Sequence, residues 1–222
     1  MKAELITIGD ELLIGQTIDT NGSWLAEQLN LLGITVSQIS SIRDNREHII
    51  SSLQNAQSRS ELVILTGGLG PTNDDITKST LCEFFGSELV LNEQVLEKIE
   101  AYFNSRSLKM IKVNSDQAML PNNCQFLKNE RGTASGMWFK KDGVDFISLP
   151  GVPYEMKGIF LDEILPVLKA QYSISTVVNK TVKTQGIGES FLAEIIKDWE
   201  KKLIDSGLKL AYLPSPGIVK LR

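Results

Sequence analysis

Two adjacent aspartates, Asp74 and Asp75, follow a glycine-rich turn that contains Gly67, Gly68 and Gly70. Glycine permits backbone conformations that other residues avoid and leaves amide N–H groups open to a ligand, so a glycine turn before a helix is typical of an anion site. Two carboxylates would repel a bare phosphate by roughly 1–4 kcal/mol per charge pair at about 4 Å. A divalent cation between them reverses the sign of that interaction. The spacing therefore predicts a site for phosphate together with a metal ion.

Two other interpretations of this segment compete with that site. Acidic residues also stabilise the start of a helix by a few tenths to about 1 kcal/mol, and for a lone aspartate that would be a sufficient reason. The segment is not a P-loop, because no Gly-Lys-Ser/Thr follows the glycines and Lys78 falls inside the next helix. The three glycines, with a second polar loop near the N-terminus, favour the phosphate and metal site.

The elements around these residues predict a parallel sheet. Residues 62–65 form a continuous apolar run, as in a strand covered on both faces, and residues 5–8 form a similar first strand. Strands and helices then alternate at lengths that imply right-handed crossovers. Because ligands bind beyond the carboxyl ends of such strands, the acidic residues after three strands are expected at one edge of the sheet. They are Asp10, Glu11, Asp44, Asp74 and Asp75.

Helix caps offer an alternative role for some of the same residues. Glu47 follows Asp44 by three residues, which is a capping-box pattern, so Asp44 is equally open as a cap and as a site residue. Gly86 is expected to end the helix after the glycine turn. Side chains able to cap that helix and the first long helix are Thr20, Asn21, Thr72, Asn73 and Asp74.

The second half of the chain adds a hairpin, another strand-end loop and a small unit. Residues 137–149 predict a hairpin with Asp142 and Gly143 at its turn, which adds antiparallel character to the sheet. Pro153 suits a first helical turn and brings Glu155 to the edge where the other loops meet. This helix is expected to reach about residue 169, with a bend near Pro166. After a linker-like stretch at 171–176, strands are predicted at 176–184, 208–212 and 218–221, around one helix.

Composition limits the class of protein and of partner. The chain has 222 residues, a net charge of −4 and only one histidine, His48, so neither nucleic acid nor a zinc site is expected. No apolar run reaches the length of a membrane span, and no signal peptide precedes the first strand. Cys82 and Cys124 are isolated, and Cys82 is expected to be a buried free thiol. A cytoplasmic protein without a membrane partner is predicted.

Three motifs together carry a family resemblance. The glycine segment, TGGLGPTNDDIT, resembles the signature loop of the molybdopterin-binding fold shared by MogA and MoaB. With GDELLIGQTIDTN near the start and LPGVPYEM later, the chain is similar to the CinA (competence/damage-inducible protein) family. The resemblance implies an α/β fold of three α/β/α layers with a mostly parallel sheet over residues 1–170. A small α+β domain is expected at 174–222, truncated at its C-terminal end because the chain stops inside an apparent strand.

The resemblance also implies a reaction and a set of site residues. CinA-type N-terminal domains resemble metal-dependent ADP-ribose pyrophosphatases, which release AMP and ribose 5-phosphate with Mg, Mn or Co. Asp75 matches the essential aspartate of the signature loop and Asp44 the acidic residue after the second strand. The implied catalytic residues are Asp75, Asp44 and Glu11, and the implied metal ligands are Asp74, Asp75 and Glu155. The implied substrate-binding residues are Thr66, Gly67, Gly68, Gly70, Asn73, Asp19, Thr20, Asn21, Thr133, Pro150 and Gly151.

A second hypothesis is a module that binds without turnover. It would hold molybdopterin or a nucleotide, or act as a scaffold for a nicotinamide mononucleotide deamidase domain that CinA relatives carry further along the chain. In MogA-like proteins an arginine-like position precedes the essential aspartate, whereas here Asp74 precedes Asp75, which disfavours molybdopterin adenylylation. No deamidase activity is expected from these 222 residues. The expected partners are a small nucleotide substrate and a second copy of the chain, as a homodimer or another homo-oligomer.

Overall fold

A computed structural model of the chain describes residues 1–72, 75–171, 178 and 180–222. The chain forms two compact units, Met1–Thr176 and Val177–Arg222. In the first unit the strands are β1 (Lys2–Ile8), β2 (Thr35–Ile42), β3 (Leu62–Thr66), β4 (Leu89–Leu91), β5 (Met119–Pro121), β6 (Gln125–Leu127), β7 (Gly136–Lys141) and β8 (Val144–Leu149). Its helices are α1 (Asp10–Leu13), α2 (Thr20–Leu31), α3 (Arg46–Gln57), α4 (Thr77–Phe85), α5 (Glu93–Ser105), α6 (Lys112–Ser115), α7 (Pro153–Ile159) and α8 (Leu165–Gln171).

The described part of the first unit contains a six-stranded sheet in the order β2-β1-β3-β8-β7-β6. Strands β2, β1, β3 and β8 are parallel, as predicted. The predicted hairpin makes β7 antiparallel to β8, and both of its turn residues have positive φ, 50° at Asp142 and 80° at Gly143. The strand order reverses beside β1, which creates the type of crevice in which α/β sheets bind ligands.

Helices cover both faces of this sheet, so the predicted three layers are present. On one face α2 packs with α7, α8 and the turn between them, and Leu25 and Leu29 share one buried cluster with Phe160 and Ile164 of that turn. On the other face Ile49 of α3 shares a second cluster with side chains of α4 and α5. Strand β3 lies between the two clusters with every residue buried, as its continuous apolar sequence predicted.

The helix caps differ from those predicted. Asp19, rather than Thr20 or Asn21, caps α2 by accepting a hydrogen bond from the Gly22 N–H at 2.8 Å. Asn45 caps α3 by accepting from His48 N at 3.2 Å, so the predicted capping role of Asp44 is wrong. The choice between neighbouring polar residues depends on which one has the extended backbone of an N-cap, and sequence does not reveal that.

Helix α4 also begins later than its candidate caps suggested. Its N-cap is Ile76, which has no side chain able to accept a hydrogen bond. Gly86 ends the helix with a left-handed backbone, φ 61°, as predicted. Of the predicted caps, Asn73 and Asp74 lie outside the described residues.

Three further segments of the first unit depart from the simplest expectation. A π-helical turn, Phe160–Ile164, joins α7 to α8 immediately before Pro166, near the position where a bend was predicted. Proline has no N–H to donate to the preceding turn, which is consistent with a local change of helical pattern. A 3-10 turn, Asp116–Ala118, follows α6 and leads into β5, which pairs with β4 in a small sheet that was not predicted.

The buried carboxylate of Glu4 forms an ion pair with Arg59. Glu4 of β1 is 3% exposed, and the Arg59 guanidinium contacts both of its oxygens, at 2.8 and 3.0 Å. Arg46 makes a similar two-pronged contact with Glu83, but both side chains there are about half exposed. The two pairs therefore have the same chemistry in different environments.

The second unit is a small α+β structure. Its strands are β9 (Val182–Gln185), β10 (Tyr212–Ser215) and β11 (Ile218–Leu221), its helix is α9 (Glu189–Asp205), and the strand order is β10-β11-β9. The strand predicted at 218–221 is present. The strand predicted at 208–212 instead starts at Tyr212 and includes Pro214, which is tolerated because β10 is an edge strand. The strand predicted at 176–184 falls partly outside the described residues.

The two thiols are shielded in the first unit. Cys82 is 8% exposed, as predicted for a buried thiol, and Cys124 is partly buried. Burial raises the pKa of Cys124 to about 11 and also raises the pKa of Cys82. In the part of the chain that the structure covers, no helix combines the length and apolar character needed to cross a membrane.

Candidate functional site

A cavity of about 370 Å³ lies where the loops after four parallel strands meet. We call it the strand-end cavity. Helix α1, which follows β1, contributes Glu11, the loop after β2 contributes Asp44, and α7, which follows β8, contributes Glu155. Its remaining lining residues are Ile8, Gly9, Gly67, Gly68, Leu69, Gly70, Pro71, Asp75, Gln117, Thr133, Ala134, Pro150, Gly151 and Val152. The predicted meeting of acidic loops at one edge of the sheet is present for Glu11, Asp44 and Asp75, whereas Asp10 does not line the cavity.

Asp75 braces the described part of the glycine loop, residues 67–72. One carboxylate oxygen accepts a hydrogen bond from Gly70 N at 2.8 Å. The other accepts from Thr72 N at 2.9 Å and from the Thr72 hydroxyl at 2.5 Å. The carboxylate therefore holds the backbone of its own loop, and the Gly70 amide, predicted to be open to a ligand, donates to the protein instead.

The first two glycines of the loop permit very close backbone approaches. A Cβ on Gly67 would lie 2.1 Å from the Ile8 carbonyl oxygen, and φ at Gly67 is 117°. A Cβ on Gly68 would lie 2.1 Å from the Thr77 hydroxyl and 3.2 Å from the nearer Asp44 oxygen. Gly67 N donates to Leu149 O at 3.0 Å, so this amide too is used inside the fold. Larger residues at either position would separate the loop from β1 or from α4.

A hydrogen-bonded network joins α2, β3 and the loop after β8. The Asn21 amide group donates to the Thr66 hydroxyl at 3.1 Å and to Gly151 O at 2.7 Å. The Thr66 hydroxyl donates in turn to Pro150 O at 2.9 Å. Thr66 is 3% exposed, so its hydroxyl is better placed to support the neighbouring loops than to contact a ligand.

A smaller cavity of about 110 Å³ adjoins this network. Its lining includes the predicted residues Asp19, Thr20 and Asn21, together with Glu11 and Gly151, which also line the strand-end cavity. Asn21 is 9% exposed, and no donor among the described residues reaches its Oδ1. An acceptor of this kind is suited to an N–H or O–H group of a ligand or to a bound water.

Glu155 connects the strand-end cavity to a second loop. Its Oε2 accepts a hydrogen bond at 2.6 Å from Asn129, which belongs to the segment 128–135, here called the bridging loop. A Cβ on Gly132 would lie 2.3 Å from the Glu155 carboxylate, so the loop backbone rests directly on this side chain. Burial raises the pKa of Glu155, and the hydrogen bond from Asn129 opposes that shift.

Two buried polar residues at the site, Gln117 and Thr77, were not predicted. Gln117, from the 3-10 turn before β5, lines the strand-end cavity and is 5% exposed. No donor in the described ranges reaches its Oε1, and the same holds for the hydroxyl of Thr77, which lies against Gly68. Gln117 O accepts a hydrogen bond from Lys78 at 3.2 Å. The only sequence signal for Gln117 was its position just before an apolar strand. Polar residues are common at such positions, so this signal did not identify it.

The predicted metal ligands are only partly described. Asp74 and the predicted phosphate ligand Asn73 lie outside the described residues, while Asp75 and Glu155 both line the strand-end cavity. Within residues 1–72, 75–171, 178 and 180–222, no group of three or more histidine, cysteine or acidic side chains is close enough to hold a metal ion. Thr133 and Pro150 line the cavity, as expected for substrate-binding positions.

Comparison with known proteins shows the family to which the chain belongs. The family described as "Probable molybdopterin binding domain" matches residues 4–170. A CinA-like protein of Flavobacterium psychrophilum is 51% identical over 100% of this chain. The chain belongs to the CinA family. Its matched region contains the whole strand-end cavity, and the predicted family is confirmed.

The relative is much longer than this chain. The match covers 53% of the Flavobacterium psychrophilum protein, so the chain spans about half the length of that curated relative.

Two solved structures identify the type of fold. The CinA protein of Thermoplasma acidophilum, of unknown function, matches with a TM-score of 0.66 and 31% identity over 72% of this chain and 94% of its own. A putative molybdenum cofactor biosynthesis protein from Corynebacterium diphtheriae matches with a TM-score of 0.51 and 11% identity, over 76% of this chain and 95% of its own. At that identity the second likeness concerns the fold alone. The predicted molybdopterin-binding type of α/β fold is confirmed.

Proposed function

We propose that this chain binds a nucleotide pyrophosphate in the strand-end cavity and hydrolyses it. The best candidate substrate is ADP-ribose, with AMP and ribose 5-phosphate as products. The observation that carries the proposal is the presence of a braced glycine loop and four carboxylates, Glu11, Asp44, Asp75 and Glu155, around one cavity of about 370 Å³. Cavities of this size at the carboxyl ends of parallel strands are typical ligand sites.

The reaction needs a water molecule and a group that accepts its proton. The water oxygen forms a bond to one phosphorus, the bridging P–O bond breaks, and the leaving phosphate retains the electron pair. Glu155 is the candidate base, because burial raises its pKa toward the working pH while Asn129 fixes its orientation. Asp75 positions the glycine loop that would face the phosphates.

A divalent ion, Mg, Mn or Co, is part of the proposal. When bound, it would neutralise the pyrophosphate charge and so favour attack by water. Magnesium is commonly held by one or two carboxylates together with substrate phosphates, and it does not require a preformed cage of protein ligands. The lack of a three-ligand cluster among the described residues is compatible with that arrangement. Asp44 and Glu11 are candidate ligands because their side chains line the strand-end cavity.

The proposal is tested by incubating the full chain with ADP-ribose and each of the three metal ions in turn. We expect AMP and ribose 5-phosphate in equal amounts, measured by anion-exchange chromatography, with little product in the presence of a chelator. Binding of ADP-ribose without release of AMP under all three conditions would exclude hydrolysis.

One observation favours a second candidate function, a binding module without turnover. Asp75 and Glu155 are both engaged by hydrogen bonds from loops, which is the geometry of residues that shape a site. In that case the cavity would hold a nucleotide or molybdopterin. Saturable binding of ADP-ribose with no AMP after prolonged incubation would support this candidate over the first.

A further inference from the structure

A second cavity of about 290 Å³ lies on the far side of the bridging loop. It runs between α5 and β6, and we call it the α5 groove. Its apolar lining includes Val95 and Ile99, both 2% exposed, and the partly buried Phe126. Its volume is near the lower end of small-molecule sites, and its floor suits the apolar or planar part of a small ligand.

The α5 groove is lined mainly by positive charges, whereas the protein as a whole has a negative net charge. The lining contains three basic side chains, Lys98, Arg106 and Lys128, and one acidic side chain, Glu130. The chain as a whole carries a net charge of −4. An excess of cations along one concave surface of an acidic protein attracts anions to that surface.

The two lysines share one carboxylate oxygen. Lys98 Nζ lies 3.1 Å from Glu130 Oε1, and Lys128 contacts the same oxygen. A single carboxylate cannot neutralise two ammonium groups, so one positive charge remains in excess at this point. Burial lowers the pKa of Lys98, and the contact with Glu130 only partly opposes that shift.

Arg106 adds a third cation beside an aromatic ring. Its guanidinium lies 3.7 Å from the centre of the Tyr102 ring, and it donates to Tyr102 O at 3.3 Å. These contacts fix Arg106 at the edge of the groove while leaving its charge without a carboxylate partner in the groove lining.

We propose that the α5 groove is a binding site for a small organic phosphate whose apolar or planar body lies on Val95, Ile99 and Phe126 and whose phosphate meets Lys98 and Lys128. In this arrangement the phosphate competes with Glu130 for the two ammonium groups. The site does not depend on the proposed hydrolysis, because it lies outside the strand-end cavity and its readout is binding alone.

The groove is linked to the strand-end cavity through the bridging loop. Thr133 lines both cavities, and Asn129, which lines the groove, donates to Glu155 in the strand-end cavity. A ligand that draws Lys128 away from Glu130 acts on the residues that flank Asn129. Occupancy of the groove is therefore expected to alter the environment of Glu155.

Three probes separate the parts of the proposed ligand. Titration of the full chain by calorimetry with phenyl phosphate, inorganic phosphate and phenol compares charge plus body, charge alone and body alone. We expect phenyl phosphate to bind most tightly and phenol most weakly. Failure of phenyl phosphate to bind, or binding no tighter than that of phenol, would overturn the proposal.

Variants locate the site and distinguish it from phosphate binding in the strand-end cavity. Lys98→Gln and Lys128→Gln are each expected to weaken phenyl phosphate binding about three- to fivefold, the effect of one partly exposed ion pair. Glu130→Gln is expected to strengthen it by a similar factor, because the competing carboxylate is removed. Lys128→Arg keeps the charge and should retain binding. Lys197→Gln, a change at an exposed lysine of α9, is the matched control and should have no effect.

The lysine-to-glutamine variants and Glu130→Gln are expected to change the affinity for phenyl phosphate in opposite directions, which makes the result decisive. Weaker or unchanged binding in Glu130→Gln, or unchanged binding in both lysine-to-glutamine variants, would place the phosphate elsewhere and overturn the proposal. Far-UV circular dichroism checks the fold of every variant, and the tighter binding expected of Glu130→Gln keeps the test valid if a lysine-to-glutamine variant is unstable.

Discussion

Asp75 and Glu155 each hold a loop at the strand-end cavity. Asp75 accepts three hydrogen bonds from residues 70 and 72, and Glu155 accepts one from Asn129. Any change at these two positions therefore alters backbone geometry as well as charge. At Asp75 this differs from the alternative in which an acidic residue only stabilises the start of a helix and does not hold the loop.

The first prediction concerns Asp75→Asn. An amide has one acceptor oxygen, and its NH₂ group would face N–H or O–H donors that now bind the carboxylate. We expect faster hydrogen exchange in the glycine loop and a loss of AMP release of about 100-fold or more, as for a group that orients a site. Thr72→Val removes one of the three donors and should reproduce the faster exchange in part.

The two readouts separate a bracing role from a charge role for Asp75. Loss of AMP release with unchanged hydrogen exchange would mean that the charge itself is needed. Unchanged AMP release in Asp75→Asn would remove this residue from the site.

The second prediction concerns the pH dependence of Glu155. A base acts only when deprotonated, and burial raises the pKa of Glu155, so activity should fall with decreasing pH at a higher pH than for an ordinary carboxylate. Glu155→Gln should lower AMP release by about 10²–10⁴-fold and abolish that acid limb. Glu194→Gln, at an exposed position of α9, is the control. An acid limb that persists in Glu155→Gln would assign the base to another group.

At the scale of elements, β1 is joined to the segment after α3 by the ion pair between the buried Glu4 and Arg59, whose side chain is 47% exposed. The third prediction is that Arg59→Met destabilises the first unit by about 1–3 kcal/mol, because it leaves a buried carboxylate without its partner. Arg46→Met removes a similar contact at the surface and should have little effect, since exposed pairs contribute little. Urea unfolding of both variants measures the difference, and equal effects would show that the burial of Glu4 is unimportant.

The sheet and the convergence of its loops could be predicted because their signals are local. A short apolar run followed by glycine and an acidic residue recurs after β1 and β3, and the parallel pairing then fixes where these loops meet. The hairpin turn at Asp142 and Gly143 was equally explicit in the sequence.

The residues that complete the site could not be predicted in the same way. Gln117 and Asn129 come from turns between 112 and 135, where neither helical nor strand periodicity is sustained. Only tertiary packing brings Gln117 to the cavity and Asn129 to Glu155. The caps Asp19 and Asn45 each lie next to another plausible cap, and backbone geometry rather than residue type decides between the two.

At the scale of the whole molecule, the strand-end cavity and the α5 groove both lie within the first of the two compact units. The fourth prediction is that a fragment ending at Gln171 folds and retains ADP-ribose binding, because it keeps both core clusters and every lining residue. Calorimetry measures the affinity, and light scattering of the full chain and the fragment tests the expected homo-oligomer. Loss of binding in a folded, monomeric fragment would mean that residues beyond 171 or a second copy complete the site.

The shielding of the two cysteines makes the chain a convenient subject for site-specific labelling. With a pKa of about 11, Cys124 carries a thiolate in only about one molecule in ten thousand at pH 7, and Cys82 is nearly inaccessible. A maleimide dye would therefore react preferentially with a cysteine introduced on an exposed surface. One such position in each unit would give a donor and acceptor pair without removal of the native thiols, and single-molecule fluorescence could then report the distance between the units with and without ligand.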